Sequence, residues 1–368
     1  MSDDPFTALA ELGDDVSPQA MLDLLKQALA ADGVDEATIT WAEERRALVL
    51  LALERFVVPG DRRFTRGELV GRVGMSLEEA DRLWRSLGFA TVPDDDRHFA
   101  EADQDALQAV KEILANGVTE PAMVYQMARV IGSSMARVAE AQISALNAIR
   151  SRQGASVSPD EAGNVPELPP QGAMLLPRLE EFLIYAWRRH LQAAARRELH
   201  QEAREASGEL AVGFVDLVGF TALAREVSEE ALVDVVDGFV GLAFEAAGTH
   251  GARVVKTIGD EVMLVADEPE SLLAVAFALV DACAGDDALP ETHVGLSFGS
   301  VTAIEGDYYG PTVNLAHRVV AVARPGTVVT SDSFHQAVAD GLYEWVRLRA
   351  RRLKGIGETR LWVVRQPG

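Results

Sequence analysis

The chain is poor in cysteine, in long apolar runs and in positive charge, and each shortage excludes something. Its 368 residues hold one cysteine, Cys283, so no internal disulfide can form. A lone thiol among Val275, Phe277, Leu279 and Val280 reads as core packing. No apolar run approaches the roughly 20 residues that a membrane-spanning helix needs. The N-terminus opens on Asp3 and Asp4, where a secretory signal needs basic residues and then a continuous apolar stretch, so the expected location is cytoplasmic. The 34 Lys and Arg against 57 Asp and Glu leave a formal net charge of −23, which disfavours long-range attraction to nucleic acid or anionic lipid. A polyanionic nucleotide is repelled by the same field unless divalent cations and a few placed Lys and Arg offset it. A nucleotide-handling chain of this composition therefore implies a metal-dependent site.

What is present divides into parts. The length exceeds what one ordinary core accommodates, which predicts two domains. Residues 1–150 are rich in Ala, Leu, Glu and Arg with apolar spacings of three and four, as in Met21, Leu24, Leu25 and Leu29, and read as helical. Residues 151–172 crowd Gly154, Pro159, Gly163, Pro166, Pro169 and Pro170 and read as a flexible loop or linker. Residues 173–206 read as a connecting helix that Pro177 can open and that ends in the charged run around Arg196, Arg197 and Glu198.

From 207 to 368 short Val, Phe and Leu runs alternate with helical stretches. Strands are expected at Leu210–Leu217, Ala252–Thr257, Val262–Ala266, Val294–Gly299 and Gly326–Thr330, and helices at Glu229–Ala247, Glu270–Cys283 and Val313–Ala323. The order strand, helix, strand, strand, helix, strand is a ferredoxin-like split βαβ with further elements after it. The predicted class is α+β, preceded by an all-α domain.

Two acids stand out. In Phe214-Val215-Asp216-Leu217-Val218-Gly219-Phe220-Thr221 an Asp ends an apolar strand, and the turn that follows leaves backbone amides free. Such an acid can hold a divalent cation while the amides receive phosphate oxygens; the plainer reading is an Asp that caps the next helix. In Lys256-Thr257-Ile258-Gly259-Asp260-Glu261 the second acid sits in a tight hairpin, where it either joins Asp216 at a Mg²⁺ site or serves as a turn residue.

Together with Asp307-Tyr308-Tyr309-Gly310-Pro311-Thr312-Val313-Asn314-Leu315-Ala316-His317-Arg318, these segments resemble the class III adenylyl cyclase catalytic domain in order and spacing. The resemblance implies that Asp216, Leu217 and Asp260 hold two divalent cations, Mg²⁺ or Mn²⁺. Gly219, Phe220, Thr221 and Lys354 would contact the substrate phosphates. Lys256 and Asp307 would read the base, while Asn314 and Arg318 would steady the ribose and the reacting phosphorus. A Lys donor beside an Asp acceptor complements adenine, which shows an acceptor at N1 and a donor at N6, so ATP is expected over GTP. The family's sites form between two such domains, which implies a homodimer. His317 departs from the pattern, since the family usually has a small residue there. A diguanylate cyclase is the neighbouring alternative, because Ile258-Gly259-Asp260-Glu261-Val262 is close to that family's signature, but the Asp307–Arg318 motif argues against it. A non-catalytic scaffold is the other alternative, and the complete residue set argues against that.

In the helical half, Phe64 to Ala80 resembles the opening of a helix-turn-helix, with Gly74 at the turn and Ser76 as a cap. Arg62, Arg63, Arg66, Arg72, Arg82 and Arg85 favour DNA, but Glu68, Glu78, Glu79 and Asp81 leave a local charge of only about +2, so a helical packing module is the preferred reading. As a whole this half resembles, more loosely, the regulatory half of soluble actinobacterial cyclases, a group associated with autoinhibition, pH response and fatty-acid binding. Only the role of regulator is carried over, with a lipid or a proton as candidate signal. Ala122–Ile131 and Met174–Ile184 could line a lipid pocket or pack as buried helices, and His190 and His200 on the connecting helix could titrate.

Overall fold

Side-chain caps set the helix starts in the first half of the chain. Ser17 accepts from the Ala20 amide at the head of α1 (Pro18–Ala31), and Asp35 accepts from the Thr38 amide at the head of α2 (Glu36–Glu44). With α3 (Leu48–Phe56) these helices bury Met21, Leu25, Leu29, Ala42 and Val49. The computed structural model describes Phe6 and residues 17–58, 60–117, 119–155, 176–203, 208–339 and 341–366. By internal contacts the chain divides into two units, Met1–Arg196 and Arg197–Gly368.

The two helices and the glycine turn expected between Phe64 and Ala80 are present. Helix α4 (Arg66–Val73) starts on the capping box Thr65/Glu68 and ends at Gly74, whose left-handed φ of 67° suits glycine. Helix α5 (Leu77–Leu87) starts on a second box, Ser76/Glu79. Five of this module's six arginines, however, are engaged with carboxylates or rings. Arg66 pairs with Asp81 and Asp94, Arg62 with Glu54, and Arg63 with Asp61. Arg72 lies over the Phe64 ring at 4.3 Å and Arg82 over Tyr125 at 4.1 Å. Cations held this way offer little to a phosphate backbone, which favours the packing reading.

Helix α6 (Glu101–Ala115) follows, and then α7 (Pro121–Ala155). Ser151–Ala155, expected as the start of a loop, instead complete α7. A helix already propagated over many turns tolerates one Gly near its end at about 1 kcal/mol. Residues 156–172 lie outside the described residues, as do Met174 and the side chain of His200. Ala122–Ile131 does not act as one apolar lining: Val124, Tyr125 and Ala128 are buried, whereas Met123, Met127 and Ile131 are exposed. Helix α8 (Leu176–Ala203) carries Arg196 and Arg197.

The second unit begins with β1 (Glu209–Leu217), the one-turn α9 (Phe220–Leu223) and α10 (Glu229–His250). The hairpin β2 (Arg253–Ile258) and β3 (Glu261–Ala266) follows, then α11 (Pro269–Ala284) and β4 (Thr292–Ser300). A small hairpin, β5 (Thr302–Ile304) with β6 (Asp307–Tyr309), leads into α12 (Pro311–Val320). The chain closes with β7 (Val328–Ser331), α13 (Asp332–Ala337), β8 (Glu344–Arg347), the hairpin β9 (Arg351–Leu353) and β10 (Gly357–Thr359), and β11 (Leu361–Arg365).

The sheet order is β2-β3-β1-β4-β7-β11-β8. Its first four strands are the ferredoxin-like arrangement expected from the element order, and the last three extend it. Strand β1 is flanked by antiparallel β3 and β4 and is covered on both faces, so its sequence is a near-continuous apolar run. Ala211, Val215 and Leu217 pack toward α10 and α11 with Phe239, Leu272 and Val275. Val212 and Phe214 point the other way, toward Ala316 and Val320 of α12. Gly295 on β4 makes that approach possible, because a Cβ there would lie 2.1 Å from the Val320 backbone nitrogen.

Candidate active site

The pleat of β1 puts Asp216 on the same face as Val212 and Phe214, at the strand's C-terminal end and under α12. Leu217 is buried, so only its main chain can serve a ligand. The amide of Leu217 donates to the Asp260 carbonyl at 3.3 Å, which ties the end of β1 to the β2–β3 turn. That turn is the two residues Gly259-Asp260, between Ile258 and its partner Glu261, with Gly259 at φ 65°. The register then pairs Asp216 with Glu261 on one side and with His293 on the other. Asp216, Asp260 and Glu261 thus gather at one end of the sheet, as the sequence predicts for the first two.

The electrostatics of this end call for a counter-charge. The Asp260 carboxyl is held above its ordinary value, first by burial and then by the Asp216 charge. Glu261 is pushed up to about 7 by burial, with Asp216 and Asp260 adding to the shift and His293 opposing it. His293 Nε2 lies 3.0 Å from Asp216 Oδ2. Among the described residues no group of three His, Cys, Asp or Glu side chains is arranged to hold a metal by itself. Two neighbouring carboxylates still suit a cation such as Mg²⁺, which takes most of its ligands from water and substrate oxygens. Past Leu217, Gly219 adopts φ 73° and opens α9 with Phe220 and Thr221, and no side chain caps the first turn.

A second group lies at the start of α12. Pro311 stands at the first helical position behind Gly310, and Thr312 Oγ1 donates to the Ser300 carbonyl at 2.8 Å, anchoring the helix to the end of β4. Asn314 and Arg318, four residues apart, share one exposed face. They line a cavity of about 590 Å³ together with His317, Ser297, Ser333 and the turn Lys354-Gly355-Ile356. Asp216 and Asp260 do not line it. His317 is neither free in solvent nor buried: its ring meets Phe214 edge-on at 5.1 Å, and Nε2 is 3.5 Å from Glu261 Oε2. The third group is Lys256 with Asp307, which form a partly buried ion pair; Asp307 Oδ1 also accepts from the Tyr308 amide at 2.8 Å. The donor and acceptor expected to read a base are therefore side by side.

Sequence reasoning assigned no role to Glu261 or His293. Glu261 stands in the hairpin motif, but its burial and its contact with His317 of α12 are set by the fold. His293 acquires its partner only through the β1–β4 register, and no local pattern marks it.

Residues 202–366 match the family model of the adenylate and guanylate cyclase catalytic domain, and residues 9–185 match that of the adenylate cyclase regulatory domain. The chain is 37% identical to an adenylate cyclase of Streptomyces coelicolor over 77% of this chain and 74% of that protein. It is 35% identical to an adenylate cyclase of Streptomyces griseus over 77% of this chain and 70% of that one. Among solved structures, the guanylate cyclase domain of RhGC from Catenaria anguillulae is covered to 98% by 44% of this chain, at 22% identity and a TM-score of 0.41. With both halves matched and two relatives above a third identical over most of their length, the chain belongs to the adenylate cyclase family, with a class III catalytic domain behind a helical regulatory domain.

Proposed function

We propose that the chain converts ATP into 3′,5′-cyclic AMP and pyrophosphate at two equivalent sites, each formed between the catalytic domains of a homodimer. The observation that carries the shared site is the separation within one chain. The cavity that gathers Asn314, Arg318 and Lys354 is not lined by Asp216 or Asp260, which supports a reading in which the cation-holding acids of each site come from the second copy.

In this reading Lys256 Nζ donates to adenine N1 while Asp307 accepts from the N6 amino group; guanine, with the reverse pattern, leaves both unmatched. Asn314 orients the ribose so that its 3′-oxygen stands in line with the α-phosphorus. Arg318 stabilises charge on the oxygens of that phosphorus, and Lys354 and the amides after Gly219 hold the β- and γ-phosphates. Asp216, Asp260 and the Leu217 main chain would hold two divalent cations, Mg²⁺ or Mn²⁺, whose chemistry is to lower the pKa of the attacking hydroxyl and to neutralise the departing pyrophosphate.

Complementation tests the shared site. Asp216→Ala and Asn314→Ala chains are each expected to be inactive. A statistical 1:1 mixture places one intact site in each heterodimer, half of the dimers, and should recover about a quarter of the parental rate. No recovery from demonstrated heterodimers would refute the arrangement. Residues 1–150 are read as a regulator joined through 173–206 to the catalytic portion 207–368. A chain starting at Glu202 should then differ from the parent in basal rate, and an identical rate would argue against regulation.

A further inference from the structure

The end of the chain carries a charge imbalance opposite to that of the whole. Seven of the 34 Lys and Arg fall between residues 347 and 365, against a single acid, Glu358, in a chain of net charge −23. All seven are exposed. Among the described residues none of them takes part in an ion pair or covers a ring, unlike Arg55, Arg66 and Arg97, which are paired with carboxylates. The cations of this segment are thus available to something other than the fold.

Their position says to what. Strand β9 pairs with β10, and the turn between them, Lys354-Gly355-Ile356, closes one side of the cavity that holds Asn314 and Arg318. Leu353 is buried against Val329 and Leu361, so the pleat sends Arg352 and Lys354 to the opposite, exposed side. At about 3.3 Å per residue the Arg352 and Arg351 backbones lie about 7 and 10 Å from that of Lys354. Arg352 is on the Lys354 side within the screening length of about 8 Å at physiological salt, and Arg351, on the Leu353 side, lies just beyond it, so Arg352 is the nearer source of positive charge for the mouth of the cavity and Arg351 adds a weaker one. Glu358 is in register with Arg352, yet the two form no ion pair.

We propose that Arg351 and Arg352 make the β9–β10 hairpin an electrostatic guide for polyphosphate: they keep the cavity mouth positive within a strongly negative protein and raise affinity for the triphosphate tail of the substrate and for the pyrophosphate product. They act through charge near the ligand and not as catalytic residues. The inference rests on the reading that this cavity receives the triphosphate.

The full chain and its Arg351→Gln/Arg352→Gln variant are compared by calorimetry with 3′-deoxy-ATP, which lacks the attacking hydroxyl, and with adenosine, which lacks the phosphates. At 50 mM KCl the variant should bind 3′-deoxy-ATP about three- to tenfold more weakly, with a shallower salt dependence, and the difference should shrink toward 300 mM. Adenosine affinity should not change. With ATP the loss should fall on KM and not on kcat. The Arg351→Lys/Arg352→Lys variant should restore binding, and Glu358→Gln should shift it the other way, toward tighter. Equal affinities and equal salt slopes in parent and Gln variant would overturn the hairpin's role while leaving the cavity assignment standing. So would parallel losses for adenosine, or duplex DNA binding that depends on these arginines while nucleotide binding does not. A parent that turns over ATP poorly and does not bind 3′-deoxy-ATP would overturn both.

Discussion

Gly295→Ala is the substitution whose consequence the structure specifies most closely. A Cβ at Gly295 would stand 2.1 Å from Val320 N, 2.6 Å from Val320 Cα and 2.7 Å from the Ala316 carbonyl oxygen. All three are backbone atoms of α12, so no rotamer change relieves the clash. Bringing 2.1 Å out to the 3.4 Å at which ordinary contact begins requires the helix to retreat by about 1.3 Å. Overpacking of this kind costs about 1–3 kcal/mol, which for a unit of this size lowers the thermal midpoint by roughly 2–12 °C. The larger effect falls on catalysis. In the proposed function Asn314 and Arg318, which ride on α12, are positioned catalytic groups, and a displacement of about 1 Å at such a group removes about a hundredfold in rate. Gly213→Ala is the control: its Cβ meets Leu296 Cδ2 at 2.7 Å and Leu272 Cδ2 at 3.3 Å, the far ends of flexible side chains on the other face of the sheet. The assay is cyclic AMP formation from ATP, alongside a thermal melt of each variant. Gly295→Ala should be folded and slower by about two orders of magnitude, and Gly213→Ala should stay within a few-fold of the parent. If folded Gly295→Ala keeps a near-parental rate, the close seating of α12 does not position the reacting groups.

Two further outcomes are expected. Lys256→Glu combined with Asp307→Ser reverses the donor and acceptor at the base, so ATP use should fall and GTP use should rise relative to it; an unchanged ATP preference would place base reading elsewhere. Glu261 has a folded pKa of about 7 against an ordinary 4.5. Its proton therefore favours the folded state, a contribution that is complete below about pH 4.5 and is lost as pH rises through 7, at most about 3 kcal/mol. In EDTA the parent's melting midpoint should fall more steeply between pH 5 and 7.5 than that of Glu261→Gln, and superimposable profiles would contradict the shift.

Local sequence patterns carried most of the catalytic fold. An apolar run ending in Asp216, the turn Gly259-Asp260 and the Pro311 helix start are written in adjacent residues, because strand pleat, hairpin register and helix caps are short-range preferences. The strands expected at residues 210, 252, 262, 294 and 326 are all present, whereas β8 and β11, which extend the sheet beyond β7, were not among them. Ser151–Ala155 read as loop by composition and are helix, since propagation outweighs one glycine.

What the sequence by itself determined is therefore the kind of fold, the family and the identity of the residues with chemistry to offer. Tertiary structure decided how those residues are charged and held. Only the β1–β4 register brings His293 to Asp216, only burial together with the neighbouring Asp216 and Asp260 charges raises the pKa of Glu261, and only the docking of a turn at Lys354 against a helix begun at Pro311 makes the cavity. Solvation and long-range pairing depend on distances in space, and these are set when the sheet closes and α12 comes down on Gly295.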